Sequence, residues 1–264
     1  MSKQPVFFVS HGGGPWPFIP EMRAELARTV AWMNAFASTL IEKPKCILCI
    51  DAHWEEDEFT ISSAAHPPMI YDYSGFPAHT YQIQYPAPGS PEIANRVTAL
   101  LKNASIPIHQ NPTRGFDHGA FIPLGLMFSK ADIPVVSLSI KRNYDPLDHI
   151  RMGEALAPLR NEGVLIIGSG LSYHNMRGFG SNAAGESSKL FGDWLEVVIN
   201  SNTLEARIEK LSEWERAPAA RSSHPDEDHL IPLMAVVGAA QNDPGKVSIR
   251  DHAMGVDMAS YQFG

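Results

Sequence analysis

The sequence predicts a single α/β domain with a central, mostly parallel or mixed sheet and helices on both faces. Short apolar runs typical of buried strands, such as Val6–Val9 and Val164–Ile167, alternate with longer segments of helical spacing, such as Glu21–Leu40. This alternation is typical of parallel strands joined by helical crossovers. Histidine- and glycine-rich turns follow several strand runs. No repeat, linker or composition shift divides residues 1–264, so we expect one domain.

Composition narrows the class of protein. The chain has 264 residues, of which 44% are hydrophobic, enough for a sizeable core. Its formal net charge of −8 argues against nucleic acid or an anionic membrane as the main partner. No apolar run approaches the roughly 20 residues of a membrane-spanning helix. Because the N-terminus leads into a strand without a signal-peptide pattern, we expect a cytoplasmic location.

The first elements along the chain read as strand, helix and strand. Val6–Val9 is followed by a glycine turn, then by the helix Glu21–Leu40 and the strand Cys46–Ile50. This order predicts that the two strands are parallel and adjacent, with their ends about 5 Å apart. Cys46 and Cys49 form a C-x-x-C pattern inside the second strand, where residues three apart face opposite sides. We therefore interpret them as core residues and not as a redox motif.

A long irregular stretch, residues 66–88, follows a third strand at Phe59–Ser62. Loops of this length in a compact domain are usually functional, and the aromatic content argues against disorder. We interpret this aromatic loop as a lid or a pocket wall. Further strands are expected at 106–108, 134–140 and within 247–263, and helices at 91–102, 121–128, 145–160, 187–200, 203–214 and 230–240.

Three histidines lie at or just beyond the ends of buried strands. His11 follows the first strand, His53 follows the second, and His174 lies beyond the Val164 strand. Ligands of open α/β sheets bind at the carboxyl ends of the strands, so these positions predict a site where imidazoles converge. Imidazole-rich sites suit zinc, iron, copper or nickel, and the residues alone do not choose among these metals.

Other histidines have competing interpretations. The preceding Asp117 would orient His118 as a general acid or base, or would instead cap a helix that starts at His118. His229 would open a helix that leads back to the sheet, or would belong to a solvated acidic helix start. His79 in the aromatic loop stays undecided. Five further histidines are interpreted as surface or structural residues: His66, His109, His149, His224 and His252.

Six motifs, in order along nearly the whole chain, resemble the 4,5-DOPA-type extradiol dioxygenases, a branch of the class III extradiol ring-cleavage dioxygenases. They are S-H-G-G-G-P from Ser10, D-A-H-W from Asp51, Y-P-A-P-G-S-P-E from Tyr85, G-F-D-H-G-A-F-I-P-L from Gly115, I-I-G-S-G-L-S-Y-H-N-M-R from Ile166 and H-P-D-E-D-H-L-I-P-L from His224.

The resemblance implies a single catalytic domain over residues 1–264 with one metal ion at the strand ends. It implies that His11, His53 and His229 bind Fe²⁺, with Zn²⁺ as the alternative metal. With tetrahedral zinc, His174 would be a fourth ligand. The related protocatechuate enzymes use a carboxylate as third ligand. Glu227 or Asp228 would take that place if His229 did not.

The implied reaction opens the ring of a catechol-type substrate with O₂ and yields a semialdehyde. In it, His174 removes a proton from the catechol, and His118 supplies one as the O–O bond breaks. The aromatic loop would stack on the substrate ring or pack on a second subunit, which leaves a homo-oligomer open. Arg177 would pair with a substrate carboxylate or be an ordinary surface residue.

Two other functions compete with this one. A metal-dependent hydrolase would use the same ion to activate water, with His118 as general base. A non-catalytic binding protein of the same fold is the third interpretation, because fold alone does not determine function. The presence of all five matched histidines favours catalysis.

Overall fold

The computed structural model describes residues 2–264, and helices and strands alternate along most of this range. The strands are β1 (Val6–Ser10), β2 (Cys46–Glu56), β3 (Phe59–Ser62), β4 (Ile108–Asn111), β5 (Val135–Lys141), β6 (Val164–Gly170), β7 (Gly245–Ala253) and β8 (Val256–Phe263). The α-helices are α1 (Pro20–Glu25), α2 (Ala27–Thr39), α3 (Pro91–Asn103), α4 (His118–Met127), α5 (Pro146–Leu156), α6 (Asn182–Ile199), α7 (Leu204–Leu211), α8 (Ala220–Ser223) and α9 (Ile231–Ala240). Short 3₁₀ helices lie at Trp16–Phe18, Ala78–Gln82, Ala157–Glu162 and Trp214–Arg216.

All eight strands form one mixed sheet in the order β4-β3-β5-β2-β6-β1-β8-β7. The four central strands, β5, β2, β6 and β1, are mutually parallel, while β3 and β8 pair antiparallel to their inner neighbours. The predicted mixed α/β sheet is therefore confirmed. The tail contains two strands, not one, because Met254 and Gly255 both have positive φ and form a tight hairpin turn.

The expected adjacency of the first two strands is wrong, because β6 lies between β1 and β2. Val6 pairs with Ile166, and Leu48 pairs with the same residue from the other side. β6 is buried along its whole length, as a strand with neighbours on both edges and helices on both faces must be. The connection from β1 to β2 therefore passes over one strand position in the sheet, and β6, from much later in the chain, occupies that position.

Side chains of the central strands alternate between two cores, one on each face of the sheet. Val6 and Phe8 pack with α3, α5, α6, α7 and α9, whereas Phe7 and Val9 pack with α2 and α4. Helices therefore cover both faces, as predicted. Cys46 and Cys49 are free, buried and divided between the two cores, which confirms their structural interpretation.

Several predicted boundaries move. The helix expected at 21–40 is broken at Leu26 into α1 and α2. The helix expected at 145–160 ends at Leu156, and the helix expected at 203–214 ends at Leu211. By contrast, α6 begins five residues early because Ser181 Oγ accepts a hydrogen bond from Ala184 N. Within residues 2–264, no helix has the length and apolar character needed to cross a membrane.

Candidate metal centre

Three imidazoles meet at the carboxyl ends of the central strands. His11 directly follows β1, His53 lies in the irregular end of β2, and His229 lies just before α9. His53 Nε2 lies 3.1 Å from His11 Nε2 and 3.2 Å from His229 Nε2. The structure thus brings together the three residues that the resemblance assigns to the metal, although the β2 strand continues past His53 to Glu56.

The turn after β1 holds His11 in place. His11 N donates a hydrogen bond to Gly170 O over 2.9 Å, and the indole N–H of Trp16 donates to His11 O. Gly12 has φ +77°, and a Cβ there would lie 2.5 Å from Trp16 Nε1. Glycine is therefore required at this position on two counts, its backbone conformation and the indole packed against it.

Hydrogen bonds decide which nitrogen of His11 and of His229 faces the cluster. Ser169 Oγ donates to Gly119 O, so it accepts from His11 Nδ1, which lies 3.0 Å away. His229 Nδ1 lies 2.7 Å from Asp228 Oδ2, and a carboxylate only accepts. Both Nδ1 atoms thus carry the proton, and both Nε2 atoms present a lone pair to His53.

The charge state of the cluster suits a cation. Burial lowers the pKa of His53 and of His229 to about 3, and it lowers the pKa of His11 far below its usual value. All three imidazoles are therefore neutral at neutral pH. The Nε2 lone pairs of His11 and His229 both face His53 Nε2, and a divalent cation would bind all three nitrogens together. This set of three imidazole nitrogens fits a metal ion.

His118 begins α4 beside the cluster, with its ring centroid 4.0 Å from that of His53. Its backbone N and its Nδ1 both donate to Asp72 Oδ1, over 3.0 Å and 2.8 Å. The prediction that Asp117 orients His118 is wrong. Asp117 stands at the start of α4 without a capping bond, and its buried side chain pairs instead with Arg114.

His174 stacks on His229, with ring centroids 3.4 Å apart. Its Nδ1 lies 3.3 Å from Asp228 Oδ1, so one carboxylate contacts both imidazoles. Burial raises the pKa of Asp228, but hydrogen bonds from His174 and His229 outweigh burial and place it well below its usual range. Asp228 is therefore ionised, and its two carboxylate oxygens face His174 and His229. The other carboxylate considered as a metal ligand, that of Glu227, pairs with Arg221 over 2.8 Å.

An apolar cavity of about 420 Å³ lies against these histidines and is lined by His53, His118, His174 and His229. Tyr73 and Phe76 of the aromatic loop form part of its wall, which confirms the pocket-wall interpretation. Tyr73 Oη donates to Thr80 O over 2.6 Å, so the loop is braced across its own 3₁₀ turn. His79 is exposed, and its Nε2 lies 3.3 Å from Phe18 O.

The remaining histidines are surface or structural, as expected. His149 and His224 are buried and hydrogen-bonded to backbone atoms, whereas His66, His109 and His252 are exposed. Sequence reasoning missed Asp72 and Ser169 as partners of site histidines. No sequence pattern around Asp72 indicates its role, whereas Ser169 lies in the Gly-Ser-Gly sequence that ends β6, a position at the edge of the sheet where the histidines meet.

A mixed sheet whose central parallel strands gather three neutral imidazoles at their carboxyl ends, beside an apolar cavity, defines a metal-dependent α/β enzyme. The family described as the catalytic LigB subunit of aromatic ring-opening dioxygenase matches residues 7–261. The chain is 40% identical over 238 residues to a 4,5-DOPA dioxygenase extradiol of Beta vulgaris, covering 89% of this chain and 86% of the relative. It is 37% identical over 277 residues to that of Portulaca grandiflora, covering 97% and 94%.

A solved structure has the same fold over nearly the whole chain. The crystal structure of an uncharacterized protein from Escherichia coli superimposes with a TM-score of 0.79 at 28% identity, covering 99% of this chain and 100% of that one. The chain belongs to the family of the catalytic LigB subunit of aromatic ring-opening dioxygenases. It is an extradiol dioxygenase, and the class III resemblance read from its motifs is confirmed.

Proposed function

We propose that the protein opens the ring of a catechol-type substrate with O₂ to give a semialdehyde, using Fe²⁺ bound by His11, His53 and His229. The observation that carries this proposal is that the Nε2 atoms of neutral His11 and His229 lie 3.1 Å and 3.2 Å from His53 Nε2, beside the apolar cavity. Because the cluster draws on residues from 11 to 229, residues 1–264 act as one catalytic domain.

Iron is the metal that suits the reaction. A bound ferrous ion supplies the redox chemistry with O₂ that no side chain offers. Zn²⁺ has no redox chemistry, although the same three imidazoles would hold it. Three protein ligands leave room for substrate, which is the arrangement typical of non-haem iron oxygenases. His174 stays outside the ligand set in this proposal, because its ring stacks on the ring of His229, whereas His11, His53 and His229 bring their ligand atoms within 4.8 Å of one another.

His174 acts as the base that accepts a proton from a catechol hydroxyl. Asp228 faces Nδ1 and favours the tautomer with hydrogen on that nitrogen, which leaves Nε2 with its lone pair. The same carboxylate stabilises the imidazolium that forms. Contact with His229 places this base beside a proposed metal ligand, and a metal ion held there would lower the pKa of a nearby substrate hydroxyl group.

His118 acts as the acid on the other side of the cluster. Two hydrogen bonds to Asp72 Oδ1 fix both its backbone and its ring. Burial raises the pKa of Asp72, but the bonds from His118 lower it more, so Asp72 stays ionised and supports a charged imidazole. His118 can therefore hold a proton at Nε2 and deliver it into the cavity that it lines.

Relatives in the family are named for 4,5-DOPA, a catechol, which supports the substrate class. The test loads the protein with Fe²⁺ without air, adds a panel of catechols and then admits O₂. We expect oxygen uptake together with the visible absorbance of a semialdehyde. Zinc-loaded protein should show neither.

The His118→Ala variant should lose turnover by about 100-fold or more, because acid catalysis typically contributes about 100- to 10,000-fold. The matched control is His109→Ala, which removes an exposed imidazole paired with Glu58 far from the cavity. It should keep full activity. Iron-loaded protein that consumes no O₂ with any catechol would contradict the proposed function.

A further inference from the structure

We propose that Met254 is a specificity-determining residue, whose side chain packs on the ring substituent of the substrate and whose strained backbone is retained for that contact. The proposal rests on the proposed function and deepens it, because Met254 lines the same cavity. Three features support it: an uncommon backbone conformation, the hydrogen bonds that hold this conformation, and the place of the residue in the cavity wall.

The tip of the β7–β8 hairpin has a backbone conformation that is uncommon for its sequence. Met254 and Gly255 are the two residues between the strands, and their φ angles are +52° and +77°. Two-residue hairpin turns in which both φ angles are positive strongly favour asparagine or aspartate followed by glycine. Gly255 fits this preference, whereas a methionine in the left-handed region is rare and strained. Met254 therefore makes the turn less stable than asparagine would.

Two hydrogen bonds hold Met254 in this conformation, and both use its backbone. Met254 N donates to Glu25 Oε2 at the end of α1 over 3.0 Å, and Met254 O accepts from Gly180 N over 3.0 Å. Any residue with the same backbone conformation would make these bonds, so they do not account for a methionine at this position. We attribute its presence to the side chain.

The hairpin carries Met254 past the edge of the sheet where the histidines lie. β8 runs antiparallel to β1, with Tyr261 opposite Phe8. Because β1 ends at Ser10 while β8 begins at Val256, the hairpin tip projects beyond the carboxyl end of β1. Met254 therefore lines the cavity beyond the strand ends.

The two segments bonded to Met254 contribute to the same wall. Met22 lies in α1, the helix that ends at Glu25. Phe179 directly precedes Gly180, and both Met22 and Phe179 line the cavity with Met254. Thioethers adapt to irregular shapes and make favourable contacts with aromatic rings. A catechol whose hydroxyl groups face the histidines would direct a substituent on the far side of its ring toward this wall.

The experiment compares catechol with 4-propylcatechol as ligands of zinc-loaded protein, which cannot turn over, and Kd comes from titration calorimetry. Met254→Asn removes the thioether and relieves the backbone. It should weaken the binding of 4-propylcatechol by about 5- to 10-fold and change the Kd of catechol by less than about twofold. With iron-loaded protein, kcat/KM for 4-propylcatechol, measured by oxygen uptake, should fall by the same factor.

The same variant should raise the Tm of the zinc-loaded protein by about 2–4 °C, because asparagine adopts the left-handed conformation readily. A structural role of the side chain would lower the Tm instead. Scanning calorimetry measures this shift, and its sign separates a residue kept for the substrate from one kept for the packing of the fold.

Two further variants serve as controls. Ser105→Asn makes the same kind of replacement, since Ser105 is exposed, has φ +60° and lies between α3 and β4, away from the cavity. It should raise the Tm and leave both Kd values unchanged. Met254→Leu keeps an apolar side chain on the strained backbone. It should bind 4-propylcatechol within about threefold of the wild-type affinity and show no gain in Tm.

A lower Tm in Met254→Asn, or an unchanged affinity of this variant for 4-propylcatechol, would overturn the proposal. Failure of the proposed function gives a different result. If both catechols bind zinc-loaded protein as expected but iron-loaded protein consumes no O₂ with either, the proposed function is wrong and the role of Met254 in ligand binding stands. If Met254→Asn turns over 4-propylcatechol with wild-type kcat/KM, the function stands and the role of Met254 is wrong. If neither compound binds, both are overturned.

Discussion

Ser169 Oγ lies 3.0 Å from His11 Nδ1 and fixes which nitrogen of His11 faces the histidine cluster. The serine comes from β6 and the histidine follows β1, its parallel neighbour, so the sheet itself aligns the pair. Because the serine proton goes to Gly119 O, Ser169 also ties the start of α4 to the same point. One hydroxyl therefore connects a proposed metal ligand to the helix that carries His118.

Ser169→Ala should weaken metal binding by about 10-fold or more, the usual effect of losing a hydrogen-bond partner behind a metal-binding histidine. The measurement is Zn²⁺ affinity by competition with a chromophoric chelator. Ser137→Ala is the control, because Ser137 is a buried serine in β5 whose Oγ makes no hydrogen bond within the described residues. Equal affinities in the two variants would rule out a role for Ser169.

Gly119→Ala should disturb the cluster directly. A Cβ at Gly119 would lie 2.3 Å from Asp51 Oδ1 and 2.8 Å from His53 Cδ2, and Asp51 is fully buried and accepts from His53 N. Overpacking of this kind costs about 1–3 kcal/mol. We expect a lower Tm and weaker Zn²⁺ binding. Gly125→Ala, in the same helix, is the control.

The Gly125 control is matched in sequence and in helix but not in space. A Cβ there meets only Tyr85 Cδ2 at 3.7 Å, an ordinary contact, and alanine favours the helix. Gly125→Ala should keep or raise the Tm and bind Zn²⁺ normally. If Gly119→Ala behaved in the same way, the close packing of α4 on His53 would not matter for the site.

Asp72→Asn should lower kcat by about 10- to 100-fold while it leaves Zn²⁺ affinity within a factor of about three. The amide keeps an acceptor for His118 but removes the charge that supports a protonated imidazole. Asp57→Asn is the control for net charge, since Asp57 is 89% exposed and pairs with Arg142 at the surface. A fall in metal affinity as large as the fall in kcat would instead assign Asp72 to the metal cluster.

His149 should make stability depend on pH at a position remote from the site. Its Nε2 accepts from Lys141 N and its Nδ1 donates to Asp145 O, so the folded protein requires a neutral ring. Burial lowers its pKa to about 4, against about 6.5 in the unfolded chain. Below pH 6.5 the unfolded chain binds a proton that the folded protein does not, so stability falls as pH falls toward 4.

The corresponding variant is His149→Gln, which does not titrate. Between pH 6.5 and 4, the wild-type free energy of unfolding should decline relative to the variant by about 3 kcal/mol, or about 1.4 kcal/mol per pH unit. Denaturant unfolding of metal-free protein at several pH values measures this difference. Parallel curves for the two proteins would show that His149 titrates alike in the folded and unfolded states.

Much of the fold and the candidate site follows from local patterns. The continuous apolar run Val6–Val9 indicates a strand buried on both faces, and the alternation of side chains along a strand places Cys46 and Cys49 on opposite faces. His11 follows a strand end, so the edge of the sheet where it lies was predictable. The motifs that contain His53 and His229 identified the remaining members of the cluster through the resemblance.

Only the tertiary structure decided which strands are neighbours and which partners the histidines have. β6 separates β1 from β2, Asp72 reaches His118 across 46 positions, and Ser169 meets His11 across 158. Hydrophobic periodicity reports which face of an element is buried, because that depends on residues a few positions apart. Hydrogen bonds between distant segments depend instead on how whole elements pack, and no local pattern of Asp72 or Ser169 encodes that packing.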